Sequence, residues 1–149
     1  IKSSLESLVC LHEFPNYQID VFILVLEDDG SVLSTSIMAA GLAFVDASIP
    51  CFDLIASSSV AFVNGNILLD PTGAEENIVN ATNPQENHGT LTISSLDSID
   101  QISQIFFSGH IEPDLLIQAK KQLLEINKQH AKYLKKVVSL KIINQHKES

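Results

Sequence analysis

Apolar and polar positions divide the chain into a short opening helix, a block of strands around one helix, and a long terminal helix. Over Ser3–Glu13, Leu5, Leu8, Val9 and Leu11 fall at near-helical spacing, with Ser4 placed to cap. Phe14-Pro15-Asn16 breaks that pattern. From Gln18 to Leu26, the residues Ile19, Val21, Phe22, Ile23, Leu24, Val25 and Leu26 make a run too apolar for a strand with one wet face. The pattern therefore predicts a central strand there. Glu27–Gly30 is a sharp polar turn. Ser31–Ala47 follows as a helix rich in small residues (Ala39, Ala40, Gly41, Ala43, Ala47), which lets it pack close to a sheet, and Ile49-Pro50 ends it.

The second half alternates more quickly. Asp53–Asn64 reads as a strand and Asn66–Leu69 as its hairpin partner across Asn64-Gly65. Asp70–Glu76 is a turn, Glu76–Thr82 a third strand and Asn83–Gly89 a polar loop. Gly89–Leu96 and Gln104–Gly109 are further strands. Glu112–Ile143 is a long amphipathic helix opened by Pro113, which suits a first helical turn. Leu116, Ala119, Leu123, Ile126, His130, Tyr133, Val137 and Leu140 step along one face by threes and fours. There is no internal repeat and no heptad pattern. The fold class is α+β.

Charge changes this picture. All nine cations are Lys, against 18 acids, for a formal charge of −9. Without Arg the chain has no bidentate guanidinium clamp for phosphate. Residues 1–110 hold one cation, Lys2, and 14 acids, whereas residues 111–149 hold eight Lys and four acids. An acidic body thus ends in a basic helix. The overall charge disfavours independent nucleic-acid binding, which draws its affinity mainly from cations displacing phosphate counterions. Cys10 and Cys51 are too few for a disulfide framework and lie in apolar surroundings, as reduced buried thiols do. The longest apolar run, Val21–Leu26, is far short of a membrane span. Asn80-Ala81-Thr82 is a glycosylation tripeptide with no other sign of secretion. The expectation is an intracellular soluble protein. The first residue is Ile, so a fragment of a longer chain is expected.

Candidate chemistry is sparse. His12, His88, His110, His130 and His146 are scattered, and there is no CxxC, HExxH, GxSxG, Walker loop or GxGxxG. His130 on the apolar helix face reads as a core or interface residue rather than a ligand. The segment Glu27-Asp28-Asp29-Gly30-Ser31 stands between a strand and a helix N-terminus. Carboxylates there can hold Mg²⁺, and the helix N-terminus can hold an anion. Equally, Asp28, Asp29 and Ser31 can simply turn the chain and cap the helix.

At this segment the sequence resembles the RNase PH family. The likeness runs through Leu26–Ser31, Ile37-Met38-Ala39-Ala40-Gly41-Leu42-Ala43-Phe44-Val45-Asp46-Ala47, Ile49-Pro50 and Asp53-Leu54. It continues through Leu68-Leu69-Asp70-Pro71-Thr72 with Glu75-Glu76, in a form like that of eukaryotic RNA exosome ring subunits. It spans about residues 5–140. The resemblance implies an RNase PH-like fold (ribosomal protein S5 domain 2-like), with a mixed sheet packed on helices and a long C-terminal helix. It also implies that residues 1–149 are one domain, the C-terminal portion of an RNase PH-type domain whose first strands precede it.

Active members of the family attack the last phosphodiester of an RNA 3′ end with inorganic phosphate, assisted by a divalent metal. They carry acid-glycine-glycine-threonine-arginine at this turn and a second acid earlier in the strand. Here that earlier position holds Leu24 or Ile23, depending on whether Asp29 or Asp28 is matched, and the threonine-arginine pair falls near Val32-Leu33. Losing a metal carboxylate and a phosphate clamp costs on the order of several kcal/mol each in transition-state stabilisation. The expectation is a non-catalytic ring subunit without cofactor or metal. The alternative is an active phosphate-dependent 3′→5′ exoribonuclease, with Asp28 and Asp29 on Mg²⁺ and Ser31 on inorganic phosphate. Lys120, Lys121, Lys128 and Lys132 are candidates for RNA contact or subunit docking, or form a plain solvated face. The implied partners are other RNase PH-like exosome subunits in a hetero-hexameric ring, cap subunits and RNA, with no membrane. The implied location is nucleus, nucleolus and cytoplasm. An unrelated α+β ligand-binding domain sharing only the turn is the third reading.

Overall fold

The computed structural model describes residues 1–81 and 87–148. Its elements run α1 (Lys2–Glu6), a 3-10 turn (Leu11–Glu13), α2 (Val32–Asp46), β1 (Ile55–Val63), β2 (Asn66–Leu69), α3 (Gly73–Ala81), β3 (His88–Leu96), β4 (Gln101–His110) and α4 (Pro113–Glu148). The four strands form one antiparallel sheet in the order β2-β1-β3-β4. Among the described residues no helix is long and apolar enough to cross a membrane. The predicted polar loop over 83–89 and the Thr82 end of the tripeptide lie largely outside the described residues.

The sheet is buried on both faces because its strands alternate two apolar sets. Ile55 and Leu96 meet Leu5, Leu8, Val9, Ile37, Ala40 and Phe44 of α1, α2 and their link. Val60, Phe62, Leu91 and Ile93 meet Ala119 and Leu123 of α4. A small-residue helix is needed on the first face. A Cβ on Gly41 would stand 2.5 Å from Ile55 Cγ2, so α2 reaches this distance from β1 only with glycine there. The helix ends where the sequence suggests. Ser48, at φ 57°, lets Ile49 N–H reach Phe44 O and Ser48 N–H reach Val45 O, a Schellman closure.

Three expectations are corrected. Gln18–Leu26 is not a central strand. It makes no ladder with any strand among the described residues, and Phe22 and Leu26 are 93% and 89% exposed. A strand exists only through its partners' hydrogen bonds, and apolar content supplies none. Glu76–Thr82 is not a strand, because α3 already occupies Gly73–Ala81. Thr72 and Glu75 form a capping box: Glu75 Oε2 accepts from Thr72 N–H (2.8 Å) and Thr72 Oγ1 (3.0 Å), while Glu75 N–H reaches Thr72 Oγ1. The opening helix is shorter than the expected Ser3–Glu13, since Val9 leaves it to bridge Cys51.

The buried seam of α4 also differs. It holds Ala119 and Leu123 as expected, then Asn127 and Ala131, whereas Tyr133, Val137 and Leu140 stay exposed. A helix of 36 residues is about 54 Å long, against about 30 Å for a nine-residue strand, so its C-terminal part overhangs the sheet. Asn127, fully buried, accepts from Ser58 Oγ (2.7 Å) and donates to Ile93 O (3.0 Å) and Ser95 Oγ (3.1 Å). Ser57 with Ser94 and Ser59 with Thr92 close further hydroxyl pairs between the register partners of β1 and β3. Buried polar side chains in such numbers are tolerable only because they are paired.

Candidate functional site

The two motif segments that are far apart in sequence meet in space. Gly30, at φ +94°, lies so close to the Pro71–Gly73 backbone that a Cβ there would stand 2.2 Å from Pro71 O. Only glycine satisfies both the dihedral and the contact. The turn is shaped by Asp28, whose Oδ1 accepts the Gly30 N–H (3.1 Å). Ser31 follows at φ 52° as the residue before α2. Its side chain makes no capping bond to its own helix; Ser31 Oγ donates to Pro71 O (3.3 Å). Ser34 and Thr35 hydroxyls donate to the Ser31 carbonyl.

The N-terminus of α2 is therefore closed by α3. Ser31 N–H donates to Glu76 Oε1 (2.9 Å), which puts a carboxylate at the positive end of the helix. Glu75 caps its own helix and Glu76 the neighbouring one, so the paired acids of the Asp70-Pro71-Thr72 motif have distinct structural duties. Around Gly30 the fold gathers Asp28, Asp29, Glu75 and Glu76. None of the three ion pairs found among the described residues includes them: those pairs are Lys2–Glu6, Lys135–Asp53 and Lys141–Asp46. Among the described residues no three His, Cys, Asp or Glu side chains converge as a metal's donor set. Asp28 and Asp29 are both exposed, and the Asp28 carboxylate is turned onto the loop's own backbone. These residues do not fit a Mg²⁺ site, and the hydroxyl and N–H of Ser31 are both engaged where phosphate would need them. Glu76 was not singled out by its motif as a helix-terminus anion; the Thr-x-x-Glu capping box at residues 72–75 is the local signal that placed it on a helix.

A cavity of about 250 Å³ lies beside this turn, between α2, β1 and α4, lined among others by Ser34, Ser57, Ser59, Asp70 and His130. His130 Nδ1 is buried there without a hydrogen-bond partner among the described residues.

The four candidate lysines are exposed on α4, and none is in the ion pairs found. Lys121, Lys128 and Lys132, spaced by seven and four, share one stripe, while Lys120 lies about 100° round the helix. Two other lysines hold the fold. Lys141 Nζ pairs with Asp46 at the end of α2. Lys135 Nζ reaches Asp53 Oδ1 (3.3 Å) and Ser98 Oγ (2.6 Å). Burial pushes the Asp53 carboxyl up. The Ser98 and Leu54 N–H groups, the Ser98 hydroxyl and Lys135 outweigh it and hold Asp53 below the usual carboxylate range. The Asp53-Leu54 motif is thus a clamp joining β1, the β3–β4 turn and α4. At Cys51, burial and then the nearby Cys10 raise the thiol, which makes it a poor nucleophile.

Residues 1–50 match the RNase PH family, described as "3' exoribonuclease family, domain 1". The chain is 31% identical over 119 residues to the exosome complex component Rrp41 of Pyrobaculum aerophilum, covering 80% of this chain and 45% of that protein. It is 33% identical over 109 residues to the exosome complex component RRP41-like of Arabidopsis thaliana, covering 73% of this chain and 40% of that protein. Its structure matches that of rice (Oryza sativa) Rrp46 with a TM-score of 0.77 at 21% identity, over 92% of this chain and 61% of that one. The fold is RNase PH-like. The chain spans less than half the length of these curated relatives.

Proposed function

We propose that this chain is the C-terminal portion of an RNase PH-type domain and that the protein is a non-catalytic ring subunit of an RNA exosome. Its work is subunit assembly and the channelling of RNA to 3′→5′ processing or degradation, rRNA included. The similarity to exosome components supports the assembly. One observation carries the non-catalytic reading: the anion position at the N-terminus of α2 is held by the chain's own Glu76, in an acidic surround, with Val32 where active relatives carry arginine. A phosphate dianion brought there meets carboxylates where catalysis needs cations. The subunit needs neither Mg²⁺ nor phosphate of its own, works with RNase PH-like neighbours and cap subunits, and resides in the nucleus, nucleolus and cytoplasm.

The test is phosphate-dependent release of nucleoside diphosphates from single-stranded RNA by the full-length protein. No release above a blank is expected. Robust release abolished by Asp29→Ala supports the active exoribonuclease instead. For the ring position, Phe14-Pro15-Asn16, Glu27-Asp28 and Phe52-Asp53-Leu54 most resemble the subunit called mRNA transport regulator three, and the cousins called ribosomal RNA processing forty-six and forty-one less. Co-purification and identification of the flanking subunits distinguishes these positions.

A further inference from the structure

The outer edge of the sheet is unprotected. Strand β4 is its longest strand and lies at the edge, yet Gln101–His110 contains no Lys, Arg, Asp, Glu or Pro. Natural edge strands are blunted by charge, proline, bulges or a covering element, because a bare edge recruits another strand. Here the protection stops halfway. A bulge sets Ser103 out of register, and its hydroxyl donates to Ser4 O (3.1 Å) beneath α1. Beyond it, residues 105–110 are exposed on both faces of the strand. Ile105 and Phe107 stand on the α4 side at 46% and 42% exposure, and Phe106 on the other side at 55%.

We infer that the outer edge of β4 is a subunit interface, and that its occupant is the corresponding edge strand of a neighbouring RNase PH-like subunit less acidic than this chain. This rests on the ring-subunit reading and names its contact. Three features choose the occupant. The exposed edge offers backbone N–H and C=O groups, which only another extended strand can satisfy along its length. Apolar side chains on both faces require a strand apolar on both sides, as β4 itself is. Two copies of one fold can pair equivalent edges antiparallel about a two-fold axis, so a neighbour of the same fold brings the matching strand in the matching direction. The charge separates a neighbour from a second copy: two chains of −9 repel, whereas an uncharged edge costs a less acidic partner nothing. The other exposed apolar segment, Val21–Leu26, is no rival within the molecule, since Ile23 and its neighbours lie along α1 and α2 rather than at the β4 edge.

The experiment co-expresses the full-length protein pairwise with RNase PH-like subunits from the same organism. Complex mass, affinity and amide exchange are measured for wild type, Phe106→Lys and Phe107→Lys. Both substitutions fall on exposed positions, so the melting temperature of the free protein stays within a few degrees and reports that each variant folds. The expected result is a one-to-one complex in which β4 amides exchange more slowly than in the free protein, and at least tenfold weaker association for either variant. A complex that forms with β4 exchange unchanged and both variants binding like wild type overturns the β4 assignment while leaving the ring-subunit reading intact. A homodimer through β4 with no heteromeric complex overturns the choice of a less acidic neighbour. Failure to associate with any RNase PH-like subunit overturns the ring-subunit reading itself.

Discussion

Replacing Gly30 by alanine tests whether the Gly30 turn and the Pro71–Gly73 segment are one unit. Two costs add at this position. The backbone sits at φ +94°, where an L side chain loses about 1–2 kcal/mol, offset by about 0.4–1 kcal/mol of reduced freedom in the unfolded chain. The new Cβ also meets Pro71 O at 2.2 Å, Thr72 C at 2.6 Å and Gly73 N at 2.7 Å, all backbone atoms that no rotamer change can move aside. The segments must separate. That strains or breaks the Ser31 N–H bond to the Glu76 carboxylate, worth about 1.5–3 kcal/mol, and the Ser31 hydroxyl bond to Pro71 O, worth about 1 kcal/mol. The expected loss is about 3–4 kcal/mol. Gly65 is the internal control, because it has φ +76° and open space around its Cβ, so Gly65→Ala loses only about 0.5–1 kcal/mol. Urea unfolding of the two variants reads the difference, about 1–2 M in midpoint at ordinary m-values. If Gly30→Ala is no more destabilised than Gly65→Ala, the contact between the turn and the α3 N-terminus is not what holds the site, and the account of Glu76 falls with it.

Asn127→Ala strands Ser58 Oγ, Ile93 O and Ser95 Oγ in the core and should lower stability by about 3 kcal/mol by denaturant unfolding; a neutral result would contradict the buried network. Gly41→Ala gains about 1 kcal/mol of helix propensity but presses on Ile55, so a net loss of about 1 kcal/mol is expected, and a stabilised variant would deny the close approach of α2 to β1. Asp53 has its folded pKa below the unfolded value of about 3.9, so its stabilisation is complete above that value and fades as pH falls through the lower folded pKa. Wild type should therefore exceed Asp53→Asn by a constant margin from neutral pH down to about pH 5, narrowing below about pH 4; a margin independent of pH would refute the clamp. If Lys121, Lys128 and Lys132 contact RNA in the assembled ring, replacing all three by alanine reduces the salt-dependence slope of RNA binding by about 2, and an unchanged slope marks a solvated face.

Locally encoded features were legible. The hairpin across Asn64-Gly65, helix α2 with its stop at Ile49-Pro50, and the start of α4 at Pro113 each depend on residues within a turn of one another. So did the lack of arginine and the split between acidic body and lysine helix, which are matters of counting. The capping box at Thr72 and Glu75 was equally local, and overlooking it turned α3 into a strand. The composition alone argued against nucleic acid; the similarity to exosome components changes that into a question of which surface faces RNA.

What only the tertiary structure decided was who partners whom. Val21–Leu26 has the composition of a buried strand, but strand formation needs a hydrogen-bonding neighbour, and no periodicity records whether one is present. Asn127 looks like an interruption of an apolar face until Ser58, Ile93 and Ser95 surround it. Ser31 looks like a helix cap or a phosphate ligand until Pro71 and Glu76, 40 and 45 residues away, take its hydroxyl and its N–H. Sequence determines propensity, pattern and charge, because these act over a few residues. Pairing across 40 residues is settled by chain topology, and in this protein the chemistry of the candidate site is a property of that pairing.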